Sequence, residues 1–256
     1  MRESAKTIRI GEGPGVPLFV HDEWSSRFPW LVQGTTGRGT GEPFDLGLSG
    51  EGRVGIALGR WWQLREALGA ATLTLPRQMH GNAILTHHCA TRGIQLAGRA
   101  DGHITARANV VLAVTVADCV PVSIVEPETR TVALLHAGWR GTAAGVLEAG
   151  IRMLRAHASA PAERLWLHLG PAICGDCYEV GPEVHHALGL VTPPAPEAVD
   201  LRAVLAARAR SAGIPVASVS RSAWCTRCDT PRFFSHRGGD AGRQVGVLGI
   251  QETDSA

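Results

Sequence analysis

Two short apolar runs dominate the hydrophobic pattern of the chain. Residues 110–117 and 131–135 are aliphatic and β-branched almost throughout and too short for ordinary helices, so each predicts a buried strand. The first runs into Asp118 and Cys119, the second into His136. Gly138 and Gly141 then flank Trp139 and Arg140, and an alanine-rich amphipathic stretch follows from about Thr142 to His157. That order predicts a strand, a glycine turn and a helix. A thiol and an imidazole thus fall at the ends of neighbouring strands, beside the positive end of a helix.

The flanking segments carry weaker periodicities. Residues 16–20 and 30–32 predict strands joined through a flexible glycine-rich loop at 34–41. Leu58, Trp61, Trp62, Leu64 and Leu68 repeat at helical spacing across 54–69, and Gly69 is the expected stop. Leu73 and Leu75 alternate with polar residues as in a strand that runs towards Gln78, His80 and Gly81; Asp101 and Gly102 predict a loop. Further strands are expected at 165–169, 214–219 and 245–250. A helix is expected at 200–212, a proline-rich surface loop at 192–198, and an arginine-bearing loop at 232–243. Strands alternating with helices, with neither repeat nor long linker, predict one α/β domain spanning residues 1–256.

Composition narrows the functional classes. At 256 residues with 45% hydrophobic content the chain can bury a large core, and its net charge of +2 indicates neither disorder nor a nucleic-acid-binding surface. No run is apolar for long enough to span a bilayer, and the N-terminus MRESAKTIRI lacks the apolar core of a secretory leader, so a cytoplasmic location is expected. Lys6 is the only lysine, which leaves arginine to serve any anion-binding role.

In a reducing compartment, six cysteines are thiols, metal ligands or catalytic groups rather than a disulfide framework. His80, Cys119 and His136 stand at three predicted strand ends and offer the nitrogen and sulfur donors of an open zinc site. Spacing alone leaves the alternative of a packed cysteine and structural histidines. Cys174-x-x-Cys177 and Cys225-x-x-Cys228 have the spacing of paired zinc ligands; a second zinc, a redox-sensitive pair and ordinary thiols all remain open for them.

Six motifs stand in an order that resembles one family: QMHG (78–81), ADCVP (117–121), HAGWRG (136–141), GPAI (170–173), YEVG (178–181) and FSHR (234–237). This is the laccase-domain, or polyphenol-oxidase-like, family, also called the peptidoglycan-editing-factor or purine-nucleoside-phosphorylase family. The resemblance covers roughly residues 30–250. It implies a layered αββα domain with mixed sheets, similar to a toxin-deamidase-like cysteine hydrolase fold. It further implies zinc held by His80, Cys119 and His136, which are then both metal ligands and catalytic centre. The implied reactions are phosphorolysis of adenosine, inosine, guanosine and methylthioadenosine, and adenosine deamination. Phosphate would be held by arginine and backbone donors, with Arg140 and the amides after it as first candidates and Arg237 and Arg243 next; Gln78 joins them as a substrate-binding candidate.

The chain departs from the family pattern twice. Gly37 stands at an arginine position, with Arg38 one residue later, and Gly47 stands where the family often has asparagine. Rival readings use the same residues. A copper oxidase is disfavoured because none of the 11 histidines forms an H-x-H pair, although copper could enter the same site. A metal-free Cys119–His136 hydrolase and a protein that binds or edits cell-wall precursors are the others. Expected partners are a purine nucleoside and phosphate, with no nucleic acid and no membrane.

Overall fold

Central strands that are apolar on both faces need cover on both faces. The computed structural model, which describes residues 3–9, 15–48 and 54–252, supplies it with two stacked sheets between helical layers. In chain order the first strands are β1 (Glu3–Ile8), β2 (Val16–His21), β3 (Leu31–Thr36), β4 (Thr72–Arg77), β5 (Ile84–His87), β6 (Gly93–Arg99), β7 (Gly102–Thr105) and β8 (Val110–Val116). They continue as β9 (Val120–Glu126), β10 (Thr131–Ala137), β11 (Trp166–Leu169), β12 (Glu179–Val180), β13 (Glu197–Ala198), β14 (Val219–Arg221) and β15 (Gln244–Ile250). The helices are α1 (Asp22–Arg27), α2 (Val54–Ala67), α3 (Trp139–Ala143), α4 (Val146–Ala158), α5 (Pro182–Leu188) and α6 (Leu201–Ser211).

One sheet has seven strands in the order β1-β2-β3-β15-β8-β4-β6, the other six in the order β14-β11-β9-β10-β7-β5. Both are mixed, with β4 parallel to β6 and β8 in the first, and β11–β14 and β5–β7 parallel in the second. Alternation along β8 explains the layering. Val111 and Ala113 pack with Trp61, Leu64 and Leu68 under α2, while Leu112 and Val114 meet Val125, Val132 and Leu134 of the second sheet. The far face of that sheet, with Ile124, Ala133 and Leu135, is covered by Leu147, Ile151 and Leu154 of α4 and Leu205 of α6. Each fully buried aliphatic side chain contributes about 1.5–3 kcal/mol.

Several expectations are met closely. α2 ends before Gly69, whose φ of +63 provides the left-handed stop. Asp200 caps α6 by accepting from the Ala203 amide. Within α2, Trp61 is buried with its indole N–H donated to the Leu46 carbonyl, whereas Trp62 is 46% exposed.

Other expectations are corrected. The helix expected from about Thr142 to His157 is two helices, α3 and α4, parted at Gly145 with φ of +82. β3 carries on through Gly34 to Thr36, so the glycine-rich loop begins only at Gly37. Gly102 opens β7 rather than a loop, and the strand expected at 214–219 is a short 3-10 turn followed by β14. β9 was hidden by Pro121, tolerated there because it sits at the strand's start. Of the N-terminal residues read for a leader, Met1, Arg2 and Ile10 lie outside the described residues. Among the described residues no helix is long and apolar enough to cross a membrane.

Candidate metal centre between two clefts

The site grows from the β9–β10 pair. Their antiparallel register sets His136 opposite Pro121 and Ala137 opposite Val120, which brings His136 beside Cys119, the residue just before β9. His80 arrives from the loop after β4. Ligand atoms of His80, Cys119 and His136 all lie within 4.8 Å of one another, and the two imidazoles meet edge to face with ring centroids 4.8 Å apart. His136 is buried, Cys119 half-buried and His80 exposed, so the cluster opens to solvent on one side.

Asp101 organises two of these donors. It is fully buried, and its carboxylate accepts the consecutive backbone N–H groups of Met79, His80 and Gly81. Three successive amides converging on one carboxylate account for the positive φ of His80, +58. The same carboxylate takes the Nδ1 proton of His136 at 3.0 Å, leaving Nε2 of that ring as the free donor atom. Burial alone would raise the Asp101 pKa, but the His136 contact and the loop amides outweigh it and hold the carboxyl below its ordinary value.

A second carboxylate aims the thiol. Asp118 has φ of +84 and is pinned from three sides: Thr226 Oγ1 donates to Oδ1 at 2.6 Å, the Arg237 amide to Oδ2 at 2.7 Å, and the Ile173 amide to its carbonyl at 3.1 Å. Gly138 is required beneath the cluster, because a Cβ there would lie 2.9 Å from the Cys119 sulfur and 3.2 Å from His80 Cδ2. Burial opposes charge on Cys119, yet the facing imidazoles of His136 and His80 bring its thiol well below the ordinary value. His136 moves the opposite way: burial lowers it, but the sulfur and Asp101 raise it further.

Two clefts share His80 and Cys119 as a wall. The smaller, about 280 Å3, is lined by His80, Cys119, Trp139, Arg140, Tyr178 and Arg237. The larger, about 760 Å3, is lined by Leu48, Leu75, Gln78, Leu96, Thr115 and Arg243 together with the three donors. His236 borders both. Of the expected substrate residues, Arg140 and Arg237 therefore fall together on one side, and Gln78 and Arg243 on the other. Arg140 stacks on Trp139 at 4.3 Å; Arg237 lies 5.3 Å over the Tyr178 ring and donates to the Glu179 carbonyl. The Gln78 amide is engaged at both ends by Thr115, donating to its carbonyl and accepting from its N–H and hydroxyl. Arg243 donates to the carbonyls of Ala241 and Gly242. Burial, reinforced by the Cys119 charge, pushes the Tyr178 phenol up to about 12, so it is a neutral hydrogen-bond donor at physiological pH.

The family departures are also explained locally. Gly47 allows the Asp45 carboxylate to fold back onto its N–H at 2.8 Å, the same oxygen accepting from the Arg243 amide. A Cβ at residue 47 would stand 3.1 Å from that oxygen. At Gly37 a Cβ would strike Pro17 Cγ at 2.7 Å, and the neighbouring Arg38 pairs with Asp240 over the Phe234 ring.

Asp101, Asp118, Tyr178 and His236 were not singled out by the sequence. Tyr178, His236 and Asp118 sit inside the quoted motifs, which is the signal that could have found them; Asp101 had none beyond a carboxylate before a glycine.

The layered α/β fold brings a thiol and two imidazoles together beside two clefts, a donor set that could hold a metal ion. Residues 45–251 match the family described as multi-copper polyphenol oxidoreductase laccase, and the chain belongs to that family. An adenosine deaminase from an unknown prokaryotic organism is 33% identical over 64% of this chain and 69% of its own length. The purine nucleoside phosphorylase YlmD of Geobacillus stearothermophilus is 31% identical over 78% of this chain and 75% of its own. The crystal structure of YlmD from the same organism superposes with a TM-score of 0.85 at 27% identity, covering 96% of this chain and all (100%) of that one. YfiH of Bacillus licheniformis gives 0.84 at 25% identity, over 94% of this chain and 98% of that one.

Proposed function

We propose that this chain is a cytoplasmic, zinc-dependent purine nucleoside phosphorylase that acts on adenosine, inosine, guanosine and methylthioadenosine and also deaminates adenosine. The observation that carries the reading is the convergence of His80, Cys119 and His136 beside two clefts, one lined by Arg140 and Arg237 and a larger one lined by Leu48, Leu75 and Leu96 with Gln78 and Arg243. The relatives named for these two activities support the substrate class.

The donors fit the metal. One thiolate and two imidazoles are the sulfur and nitrogen ligands of open zinc sites, and Asp101 gives His136 the carboxylate partner that metal-bound histidines usually have. A zinc ion held there supplies Lewis acidity for either purine reaction. Copper fits the same donors, and its test is the metal content of the purified protein.

The chain's own groups divide the work. Arg140 and Arg237 hold phosphate in the smaller cleft, with the neutral Tyr178 phenol donating beside them. The larger cleft takes the nucleoside against Leu48, Leu75 and Leu96. Gln78 fixes the end of β8 at Thr115 and so shapes the nucleoside side, and Arg243 closes its rim. The two clefts meet at His80, Cys119 and His236, and there a phosphate oxygen would bond to ribose C1′ as the C1′–N9 bond breaks and the purine leaves with a proton; holding both reactants at that junction lowers the entropic barrier.

Hypoxanthine release from inosine should require phosphate, and a chain that binds inosine but shows no turnover in phosphate would end the proposal. Arg140→Ala should raise the phosphate KM while leaving the inosine KM near the wild-type value. A second reading is favoured by the lowered Cys119 and raised His136 values, which describe a thiolate–imidazolium pair able to act without metal as a hydrolase on purine or cell-wall precursors. Iodoacetamide separates the two: a metal ligand is protected until chelation, whereas a free nucleophile is alkylated in metal-loaded protein at the same rate.

A further inference from the structure

Cys174, Cys177, Cys225 and Cys228 lie 51 residues apart in two C-x-x-C pairs, yet the fold folds them onto one another. We propose that these four sulfurs form a second, structural zinc site that fastens the loop at 174–177 to the loop at 225–228 and thereby holds Asp118 behind the Cys119 donor.

The geometry is that of a tetrahedral thiolate cage. All four sulfurs lie within 4.8 Å of one another, and Cys177 Sγ and Cys228 Sγ are 3.4 Å apart. Four sulfurs at about 2.3 Å from a zinc ion sit about 3.8 Å from each other, so the cluster needs only small side-chain adjustments to close on an ion. None of the six cysteines is in a disulfide. Backbone amides already point at the sulfur that would carry charge: the Cys174 N–H donates to Cys225 Sγ at 3.2 Å and the Cys228 N–H to the same atom at 3.4 Å. Without a cation, four thiolates at this separation would repel one another. Zinc binding forms four Zn–S bonds and releases the thiol protons to solvent, with no oxidant or reductant required. Soft, all-sulfur, four-coordinate ligation is a closed structural set, unlike the three-donor cluster that borders the clefts.

The position of the quartet gives it a consequence. The two loops are joined by a backbone bridge, Ala172 to Cys225, with the Thr226 amide donating to the Ala172 carbonyl, and by the Arg227 guanidinium, which donates to the Cys177 carbonyl. Both reach Asp118 from there: Ile173, next to Cys174, donates its N–H to the Asp118 carbonyl, and Thr226, next to Cys225, donates its hydroxyl to the carboxylate. Neither segment belongs to a long strand or helix: residues 175–177 form one 3-10 turn, and Cys225 is held by Asp229, which accepts from its N–H. A metal across the four sulfurs would make these contacts rigid, and Cys119 is the following residue.

Metal analysis of the full chain purified under reducing conditions tests this independently of the purine reading, because different variants remove different ions. Wild type should carry two zinc ions per chain. Cys228→Ser and Cys177→Ser, both at sites with solvent access, should each lower this to one and release that ion to a chromogenic chelator at least tenfold faster. His80→Ala should lower it to one by the other route, leaving the quartet's ion bound. Cobalt-loaded His80→Ala should show the strong sulfur-to-cobalt charge-transfer absorption of an all-thiolate tetrahedral site, lost on adding Cys228→Ser. A wild-type ratio of one that Cys228→Ser leaves unchanged overturns the proposal. So does disulfide formation within the quartet in freshly purified protein, and iron in place of zinc there overturns the assignment of the metal.

Discussion

Replacing Asp101 by asparagine keeps the shape of the side chain and removes one acceptor, which makes it the sharpest probe of how the three-donor cluster is held. Wild-type Asp101 receives protons from Met79, His80 and Gly81 on the backbone and from His136 Nδ1. Asparagine has one oxygen and one NH2. With the oxygen kept towards His80 and His136, the NH2 meets the Gly81 N–H, which stands 2.7 Å from that position, donor against donor. With the amide flipped, the NH2 faces His136 Nδ1, and that ring must move its proton to Nε2, the atom left free for a metal. Either orientation leaves a buried donor without a partner, at about 1–3 kcal/mol. Loss of the carboxylate behind a metal-bound histidine costs about 10- to 100-fold in metal affinity, about 1.4–2.8 kcal/mol.

The assay is two measurements on one variant. Competition with a zinc chelator at fixed pH should show the affinity loss, and urea unfolding of metal-free protein the stability loss. The pH dependence carries a definite sign. Because the folded Asp101 pKa lies below the unfolded value, its contribution is complete above that unfolded value, about 4, and disappears as pH falls through the folded value. The urea midpoints of wild type and Asp101→Asn should therefore converge towards acid and stay apart at neutrality. A variant that keeps wild-type zinc affinity within a factor of two, with parallel midpoint curves, would refute the account of Asp101.

Other outcomes follow from the same contacts. Gly138→Ala, whose Cβ would sit 2.9 Å from the Cys119 sulfur, should purify folded by circular dichroism but with less metal at the three-donor site. In metal-free protein Cys119 should be alkylated with a pH midpoint below the ordinary thiol value, and His136→Gln should move it up, read by mass spectrometry of the Cys119 peptide. Trp61→Ala removes a fully buried indole and its bond to Leu46, and should cost about 3–5 kcal/mol in chemical denaturation; Trp62→Ala, half in solvent, should cost less.

The legible parts of the fold were those where burial imposes a pattern. β8 and β10 are covered on both faces and so run apolar without a break over Val110–Val114 and Val132–Leu135, and α2 and α6 carry their own stop or cap in Gly69 and Asp200. The hidden parts lack that imprint. β6 lies at a sheet edge with Leu96 66% exposed, so its apolar and polar positions do not alternate cleanly. β5 and β7 are four residues each, too short to establish a period. The break at Gly145 was masked because alanine-rich sequence on both sides favours helix regardless of where one ends.

At the site, the three side chains that converge were legible and the groups that aim them were not, for a physical reason. Metal-binding side chains are rare residue types, so a histidine or cysteine at a strand end already carries information. A carboxylate that aims such a residue works through backbone N–H groups, which every sequence possesses. Asp101 ties the 79–81 loop to a histidine 35 positions further on, and Asp118 ties Cys119 to amides and a hydroxyl from residues 173, 226 and 237. Nothing in the spacing of those partners distinguishes them from solvated loop residues until the two sheets are stacked. The two carboxylates flank the cluster, Asp101 beneath both imidazole-bearing segments and Asp118 behind the thiol, so the geometry of the three side chains depends on charges that the chain has already neutralised with its own hydrogen-bond donors. A cation entering the cluster meets an acceptor set fixed in advance, and its affinity should respond more to these two aspartates than to any arginine lining either cleft.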